Sequence, residues 1–420
     1  MNWLVKILAG NDKDIGKKSV IWNVVASLIY SFQSAILLLV VTRVGGLFTA
    51  GVFSIAYSVS QMFASVGSYS MRDYQASDAS GQYTFSTYKT SRYITIIIML
   101  LTCFVYSVFN GYRGEKLIVL MTLSLYRAVD GYDDVMQGEL QKRGRLDIAS
   151  KMLAIRIFMA SLIFCIVFAV TNNLILSSVC LTGSAIVFSA ILNFTVFRYY
   201  DIKSKLEFKK IFSLLVACLP ICAGAFLYNY LVNSPKYAID AILSEDMQTI
   251  FNIIFMPVFV INMFGSFIFK PYIVQMGVLW ESGKKKKLVG LLMKQMLMIA
   301  AVTVIVVIGG ALLGIPVLQL IYGVELKAYR PLFILLLLFG GVSALDSFGS
   351  VILTVIRKQY VIIVAYIIAL VIDVIFMNTI VRHYAIWGAG LVYGLAMTTI
   401  LIVYVVCIAA AFIGSNNKND

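Results

Sequence analysis

Apolar residues occur along the chain in long runs, and short gaps rich in lysine and arginine separate these runs. A run of about 20 mostly apolar residues can cross a bilayer as a helix, with its backbone hydrogen bonds made internally. The pattern predicts twelve spans. Numbered in chain order, they lie near residues 20–44, 50–71, 91–110, 117–140, 148–171, 174–197, 211–232, 250–280, 288–314, 329–355, 361–381 and 387–412.

The gaps predict how the chain is oriented and divided. Most of the 34 lysines and arginines fall in gaps that face the cytoplasm when the N-terminus is inside, which is the side where loops carry excess positive charge. An even number of spans then places both termini inside. The basic gap at 198–210 predicts two lobes of six helices each, residues 1–210 and 211–420.

The composition narrows the class of protein further. The chain is 61% hydrophobic and 13% charged, far more apolar than an ordinary soluble domain, which excludes a soluble enzyme and a disordered chain. The net charge of +14 does not indicate a nucleic-acid partner, because the basic residues lie in short runs between spans. The six cysteines lie inside apolar runs without metal or disulfide spacing, and His383 is the only histidine. We therefore predict no metal and no cofactor.

Polar residues recur at helical spacing in spans 1, 2 and 8. Span 1 carries Asn23, Ser27, Tyr30 and Ser34; span 2 carries Ser54, Ser58, Gln61, Ser65, Ser68 and Arg72; span 8 carries Asn262, Ser266 and Lys270. Steps of three and four place each set on one helical face. One interpretation is close helix packing with hydrogen bonds between serines. The other is an aqueous cavity, which we favour because two neighbouring spans share the pattern and a polar face in lipid is penalised.

Span 4 is unusually charged for a membrane helix. It contains Arg127, Asp130, Asp133, Asp134 and Glu139. In span 5, Arg156 lies at a depth between those of Asp130 and Asp134. This arrangement predicts an ion-pair network between helices, which lowers the cost of burying each charge. A gating or proton-linked role is the alternative.

Two further carboxylates, Asp346 and Asp373, lie alone in spans 10 and 11. Asp373 and Thr398 lie at similar depths from the outer side, and Asn378 is close to Asp373 in sequence. Carboxylate, amide and hydroxyl oxygens are ligands suited to a small cation, so these three residues form a candidate cation site. The alternative is a carboxyl group that is protonated or bonded to a hydroxyl.

Four segments carry a resemblance to a known family. They are Arg72-Asp-Tyr-Gln-Ala-Ser-Asp78, Asp134-Val-Met-Gln-Gly-Glu-Leu-Gln-Lys-Arg-Gly-Arg-Leu-Asp147, Ser234-Pro-Lys-Tyr-Ala-Ile-Asp240 and Pro316-Val-Leu-Gln-Leu-Ile-Tyr-Gly-Val-Glu-Leu326. Taken in order, they resemble polysaccharide-biosynthesis flippases of the Wzx type, in the multidrug/oligosaccharidyl-lipid/polysaccharide exporter superfamily. The resemblance covers essentially the whole chain.

The resemblance implies a transporter of the bacterial plasma membrane that moves a polyprenyl-diphosphate-linked glycan from the inner to the outer leaflet by alternating access. It implies two six-helix lobes around a central cavity lined by helices 1, 2, 7 and 8. The expected cavity residues are Asn23, Ser27, Tyr30, Arg43, Ser58, Gln61, Ser65, Arg72, Asn262 and Lys270. Some related flippases place a sodium site on helices 7, 11 and 12, which Asp373 and Thr398 match in part, although span 7 has no carboxylate. A coupling ion, Na⁺ or H⁺, is therefore a further expected partner.

Two other functions remain open at this stage. A cation-coupled multidrug antiporter shares the superfamily architecture, but its cavity would favour acidic residues over the basic and hydroxyl-bearing faces seen here. A membrane-embedded glycosyl polymerase or ligase would need a sizeable outer loop with catalytic residues, and the gap at 233–249 is short. We therefore predict a transporter without enzymatic activity.

Overall fold

The computed structural model describes residues 8, 14–78, 81–200, 202 and 205–414, most of which are helical. Within these ranges, nine helices are long and apolar enough to cross a membrane. The prediction of an all-α integral membrane protein is confirmed at this level. By the contacts within the chain, the protein divides into two compact units, Met1–Asn229 and Tyr230–Asp420.

The N-terminal unit is built from six helices and the first part of a seventh. These are α1 (Ile15–Ser68), α2 (Met71–Ser77), α3 (Phe85–Phe109), α4 (Gly114–Lys142), α5 (Leu146–Thr171), α6 (Leu174–Tyr199) and α7 (Ile211–Ile242). Leu214 and Cys218 of α7 are buried in a cluster that includes Met71 and Val135, so the start of α7 packs in this unit. The division between the units thus falls inside α7, whereas the sequence analysis places a boundary at the basic gap before it.

The C-terminal unit continues with the end of α7 and six further helices. These are α8 (Glu245–Phe269), α9 (Ile273–Glu281), α10 (Lys285–Gly309), α11 (Ile315–Tyr322), α12 (Arg330–Val355) and α13 (Tyr360–Gly414). Short 3₁₀ turns at Lys270–Tyr272 and Lys327–Tyr329 and a π-helical turn at Gly310–Gly314 connect neighbouring helices. The turns at Lys270–Tyr272 and Gly310–Gly314 join their helices directly, and Lys327–Tyr329 follows the short non-helical segment 323–326.

The two longest helices are each kinked near the middle. α1 has 54 residues and α13 has 55, whereas about 20 residues cross a bilayer. The first kink is at Gly46, with φ of 78°, and lies between predicted spans 1 and 2. The second is at Ala385, with φ of 48°, and lies between spans 11 and 12. Beside it, a Cβ on Gly388 would lie 2.5 Å from the carbonyl oxygen of Ile380, so only glycine fits this approach.

Some gaps that the sequence analysis treats as loops are helical. The predicted gap at 233–249 consists mostly of the end of α7 and the start of α8. Asn233, Ser234 and Lys236 look like loop residues in sequence, but all three are buried in the C-terminal unit. Helix α4 fills predicted span 4, although its charged residues exclude it from the nine apolar helices.

Candidate functional site

The polar residues of α1 lie on both sides of its kink. Gln61 Nε2 donates to the hydroxyl of Tyr30 over 3.4 Å, which brings together the polar faces predicted for spans 1 and 2. Ser58 and Ser65 are buried, and Ser65 donates to the carbonyl of Met62 in its own helix. This part of the face is packed against protein. The remaining expected cavity residues of α1, namely Asn23, Ser27 and Arg43, are exposed.

A buried arginine, Arg127, lies close to the ring of Tyr30. The guanidinium carbon of Arg127, on α4, lies 4.5 Å from the ring centre of Tyr57, 5.3 Å from that of Tyr126 and 5.8 Å from that of Tyr30. A cation against the faces of aromatic rings is stabilised by their negative potential. Arg127 is not among the predicted cavity residues. Its position in the middle of span 4 could have indicated a place in the site, because an arginine there needs polar or aromatic neighbours.

Arg127 belongs to a network that joins three helices. Asp130 of α4 bridges Arg127, at 2.7 Å, and Arg156 of α5, at 2.5 Å. Arg156 Nε also lies 2.8 Å from Asp133 Oδ2. The ion-pair network expected between spans 4 and 5 is therefore present.

The network extends to α6 through Asp133. Its Oδ1 accepts hydrogen bonds from Ser189, at 2.5 Å, and from Asn193, at 2.7 Å. A buried charge is tolerated when its oxygens are hydrogen-bonded and an opposite charge is close. Asp133 meets both conditions, so it ties α4 to α5 and α6.

Asp134, which also belongs to the predicted charged set, pairs with arginines of two other helices. Its Oδ2 lies 2.9 Å from Arg92 of α3, and its Oδ1 lies 3.5 Å from Arg72 of α2. Arg92 is fully buried and also donates to the carbonyl of Gly67 over 2.5 Å. Residue 134 lies about 100° around the helix from residue 133, so its side chain meets α2 and α3 whereas that of Asp133 meets α5 and α6.

Arg72 is held by amide groups as well as by Asp134. Its Nη1 donates to Gln137 Oε1 and its Nε to Gln141 Oε1, both over 3.2 Å. The side chain nevertheless remains 25% exposed, unlike the buried Arg92 beside it. The structure thus joins the sequence motifs at 72–78 and 134–147 into one polar site, which we call the Arg72 site. It comprises Arg72, Asp134, Gln137 and Gln141.

The ion pairs among these described side chains contain more arginines than aspartates. The arginines are at positions 72, 92, 127 and 156, and the aspartates are at positions 130, 133 and 134. Arg72 shares Asp134 with Arg92 and is the most exposed of the four arginines. Its guanidinium is therefore the one that an anion from solvent can reach most easily.

In the C-terminal unit, the predicted polar face of α8 contacts α12. Asn262 donates to Ser343 Oγ over 3.2 Å and accepts from Ser347 Oγ over 3.0 Å. These bonds match the first interpretation of the polar face of span 8, which is close helix packing with hydrogen bonds between helices. Lys270 lies just after the end of α8 and is exposed.

The three residues of the candidate cation site have different environments. Asp373 is buried and accepts a 2.6 Å hydrogen bond from Ser234 of α7. Thr398 donates to the carbonyl of Gly394 in its own helix, and Asn378 is exposed. Asn378 follows Asp373 by five residues, which places it about 140° further around the helix. Asp373 therefore has the hydroxyl partner considered as the alternative to a cation.

The described residues contain no group of three or more histidine, cysteine, aspartate or glutamate side chains that could hold a metal ion. Asp346 of α12 is also buried, and neither of its carboxylate oxygens has a hydrogen-bond partner among these residues. It is therefore the more isolated of the two carboxylates that the sequence analysis singles out in the C-terminal half.

Comparison with known proteins relates the chain to membrane transporters. No family model matches the sequence. The capsular polysaccharide biosynthesis protein CapF of Staphylococcus aureus is 22% identical over 336 residues, which are 76% of this chain and 83% of CapF.

Two solved structures illustrate the structural likeness. An inward-facing multidrug resistance MATE family transporter of the MOP superfamily is 13% identical, with a TM-score of 0.66 over 93% of this chain and 97% of that one. A MOP superfamily transporter from Pyrococcus furiosus, described as having a binding pocket of reversed polarity, is 16% identical, with a TM-score of 0.55 over 97% and 98%. The chain therefore has the fold of the MOP superfamily transporters.

Proposed function

We propose that this protein is a flippase that carries a polyprenyl-diphosphate-linked oligosaccharide from the cytoplasmic to the outer leaflet of a bacterial plasma membrane. In this proposal the chain crosses the bilayer twelve times, with both termini cytoplasmic. Two six-helix lobes enclose a central cavity and alternate its opening between the two sides. The step is a translocation and requires no covalent chemistry.

The observation that carries the proposal is the partly exposed guanidinium of Arg72, which lies among the amides of Gln137 and Gln141 and shares Asp134 with the buried Arg92. A diphosphate offers several anionic oxygens, and a guanidinium with neighbouring amides can hydrogen-bond to them with charge assistance. The resemblance to CapF supports a substrate from polysaccharide biosynthesis. Because transporters of this fold are described with binding pockets of different polarity, the sign of the charge in this chain is informative about its substrate.

The physical task explains why such a site is needed. Sugar hydroxyls and a diphosphate lose several kcal/mol for each polar group that leaves water without a replacement partner. A polar cavity supplies those partners, while the prenyl chain remains in lipid. With the cell interior negative, moving about two negative charges outward across 100 mV releases roughly 4–5 kcal/mol. The membrane potential can therefore drive export without nucleotide hydrolysis.

The test replaces the two basic residues assigned to the substrate. Arg72→Ala and Lys270→Ala should each reduce export of surface polysaccharide, whereas Arg72→Lys should retain part of it because the charge remains. Lys327→Ala is the matched control, since Lys327 is an exposed lysine outside the expected cavity. Each variant is checked for insertion in the membrane at wild-type amounts. Undiminished surface polysaccharide in both alanine variants would refute the proposal.

A second candidate function is cation-coupled multidrug export. It is favoured by the likeness to MATE transporters and by the two buried carboxylates of the C-terminal unit, Asp346 and Asp373. Drug-sensitivity measurements distinguish the two candidates. Expression of this protein in a drug-sensitive host should leave drug tolerance unchanged if the substrate is a glycan carrier. A rise in tolerance that Asp373→Asn abolishes would favour the antiporter.

A further inference from the structure

A run of four lysines, Lys284–Lys287, comprises the last residue of the turn between α9 and α10 and the first three residues of α10. Lys284, Lys286 and Lys287 are exposed, and Lys285 is half-buried. We call this segment the lysine turn. It lies entirely within the C-terminal unit and takes no part in the site described above.

The surfaces on either side of the lysine turn are apolar and exposed. On α9, Val274 is 79% exposed and Val278 is 60% exposed, one helical turn apart. On α10, Val289, Met293 and Leu297 are exposed at successive steps of four. In a membrane protein such stripes face acyl chains. Because both stripes end at the lysine turn, the lysines lie at the level of the lipid headgroups.

Two aromatic residues also indicate that the lysine turn lies at the level of the lipid headgroups. Trp280, just before the turn, packs edge-on against Phe412 of α13, with ring centres 5.4 Å apart. Tryptophan is enriched where the membrane meets water. Further along α10, Lys294 is exposed within the apolar stripe. It lies about 10 Å from Lys287 at 1.5 Å per residue, so its flexible stem can lead the ammonium back toward the headgroups.

The stability of the helix does not explain the lysines. Positive charge at a helix N-terminus opposes the helix dipole, and the first turn of α10 contains no acidic residue. Glu281, the nearest carboxylate in sequence, pairs with Arg357 at 3.6 Å. The orientation of the protein needs basic loops, but it does not need four consecutive lysines at a helix start.

We propose that the lysine turn is a binding surface for anionic phospholipid headgroups, which it holds against α9 and α10. The partner fits in charge, because the phosphate of such a lipid lies at the level of the ammonium groups. It fits in position, because the acyl chains lie along the exposed stripes of Val274 and Val289. Clusters of four or more basic residues beside a membrane helix bind anionic leaflets in this way.

The experiment measures lipid retention by the full-length protein. The purified protein is placed in phosphatidylcholine nanodiscs with or without phosphatidylglycerol, and native mass spectrometry counts the lipids that it retains. Wild type should retain phosphatidylglycerol over phosphatidylcholine. Changing Lys284–Lys287 to glutamine should lower the affinity by about five-fold for each lysine neutralised, while changing them to arginine should preserve it. Lys205→Gln with Lys209→Gln, at an exposed basic segment of the other unit, should leave retention unchanged.

The proposal would be overturned if wild type and the glutamine variant retained phosphatidylglycerol equally. It would also be overturned if the arginine variant lost retention, or if the Lys205/Lys209 control lost as much as the glutamine variant. If the fourfold glutamine variant does not insert, the pair Lys284→Gln and Lys285→Gln replaces it, with half the number of charges removed. Displacement of the lipid by inorganic pyrophosphate at physiological salt would show a general phosphate site and would also count against a lipid surface. The measurement does not use transport, so its outcome is independent of the proposed function.

Discussion

Arg156 provides the most direct test of the buried charge network. Its side chain is 0% exposed, and it lies 2.5 Å from Asp130 and 2.8 Å from Asp133. Replacing it with methionine keeps an unbranched apolar stem but leaves the buried Asp133 without its cation, whereas Asp130 keeps its ion pair with Arg127. Removing one partner of a buried ion pair costs about 3–5 kcal/mol. We expect Arg156→Met to lower the free energy of unfolding by about that amount.

The control is an ion pair on the surface. Arg357 pairs with Glu281 at 3.6 Å, and their side chains are 81% and 70% exposed. Exposed pairs contribute about 0.2–1 kcal/mol, so Arg357→Met should cost several times less than Arg156→Met. The free energy of unfolding is measured by reversible denaturation in mixed micelles, with the reactivity of the buried thiol Cys103 as the probe. Equal losses in the two variants would refute the buried network.

The same assay gives a test of sign. In the Arg156→Met background, the additional change Asp133→Asn removes one uncompensated carboxylate and preserves an oxygen that can accept from Ser189. We expect it to restore part of the lost stability. A further loss would mean that Asp133 is stabilised by groups other than Arg156.

Two further predictions concern the C-terminal carboxylates and their partners. Asp346→Leu should leave the free energy of unfolding unchanged or raise it. The reason is that an apolar side chain of similar size replaces a buried carboxyl that lacks hydrogen-bond partners among the described residues. A loss above about 1 kcal/mol in the denaturation assay would contradict this. Ser234→Ala should lower stability by about 1 kcal/mol or more, because Asp373 loses its 2.6 Å hydrogen bond. Ser178→Ala is the control, since that buried hydroxyl has no hydrogen-bond partner within the part of the chain that the structure describes, and an equal loss there would argue against the Ser234 contact.

The apolar pattern predicted most of the helical segments, because each run that crosses a bilayer must satisfy its own backbone and present an apolar surface. It did not predict helix α2 (Met71–Ser77), whose seven residues, MRDYQAS, contain no apolar run. Nor did it predict that α7 continues to Ile242. Lys236 and its neighbours look like loop residues in sequence, and only packing within the C-terminal unit places them in a buried helix.

The candidate site was likewise predicted only in part from the sequence. Helical spacing placed Gln61 and Arg72 on one helical face, and the structure shows that Gln61 meets Tyr30. The prediction is wrong for Arg72, because α1 ends at Ser68 and Arg72 lies on α2 after the left-handed residues Tyr69 and Ser70. The spacing could not show that Asp134 reaches Arg92 and Arg72, because the choice of partner depends on which helices surround α4.

The sequence by itself determined the class of protein and most of its helical segments. These follow from local chemistry, since apolar length and helical rise are properties of one segment at a time. Only the tertiary structure decided which charges pair. Arg92 and Arg72 look alike in sequence. Arg92 is nevertheless buried against Gly67 and Asp134, whereas the side chain of Arg72 is partly exposed. Burial and partner choice are set by neighbouring helices, and a periodic pattern carries no information about which helices are neighbours.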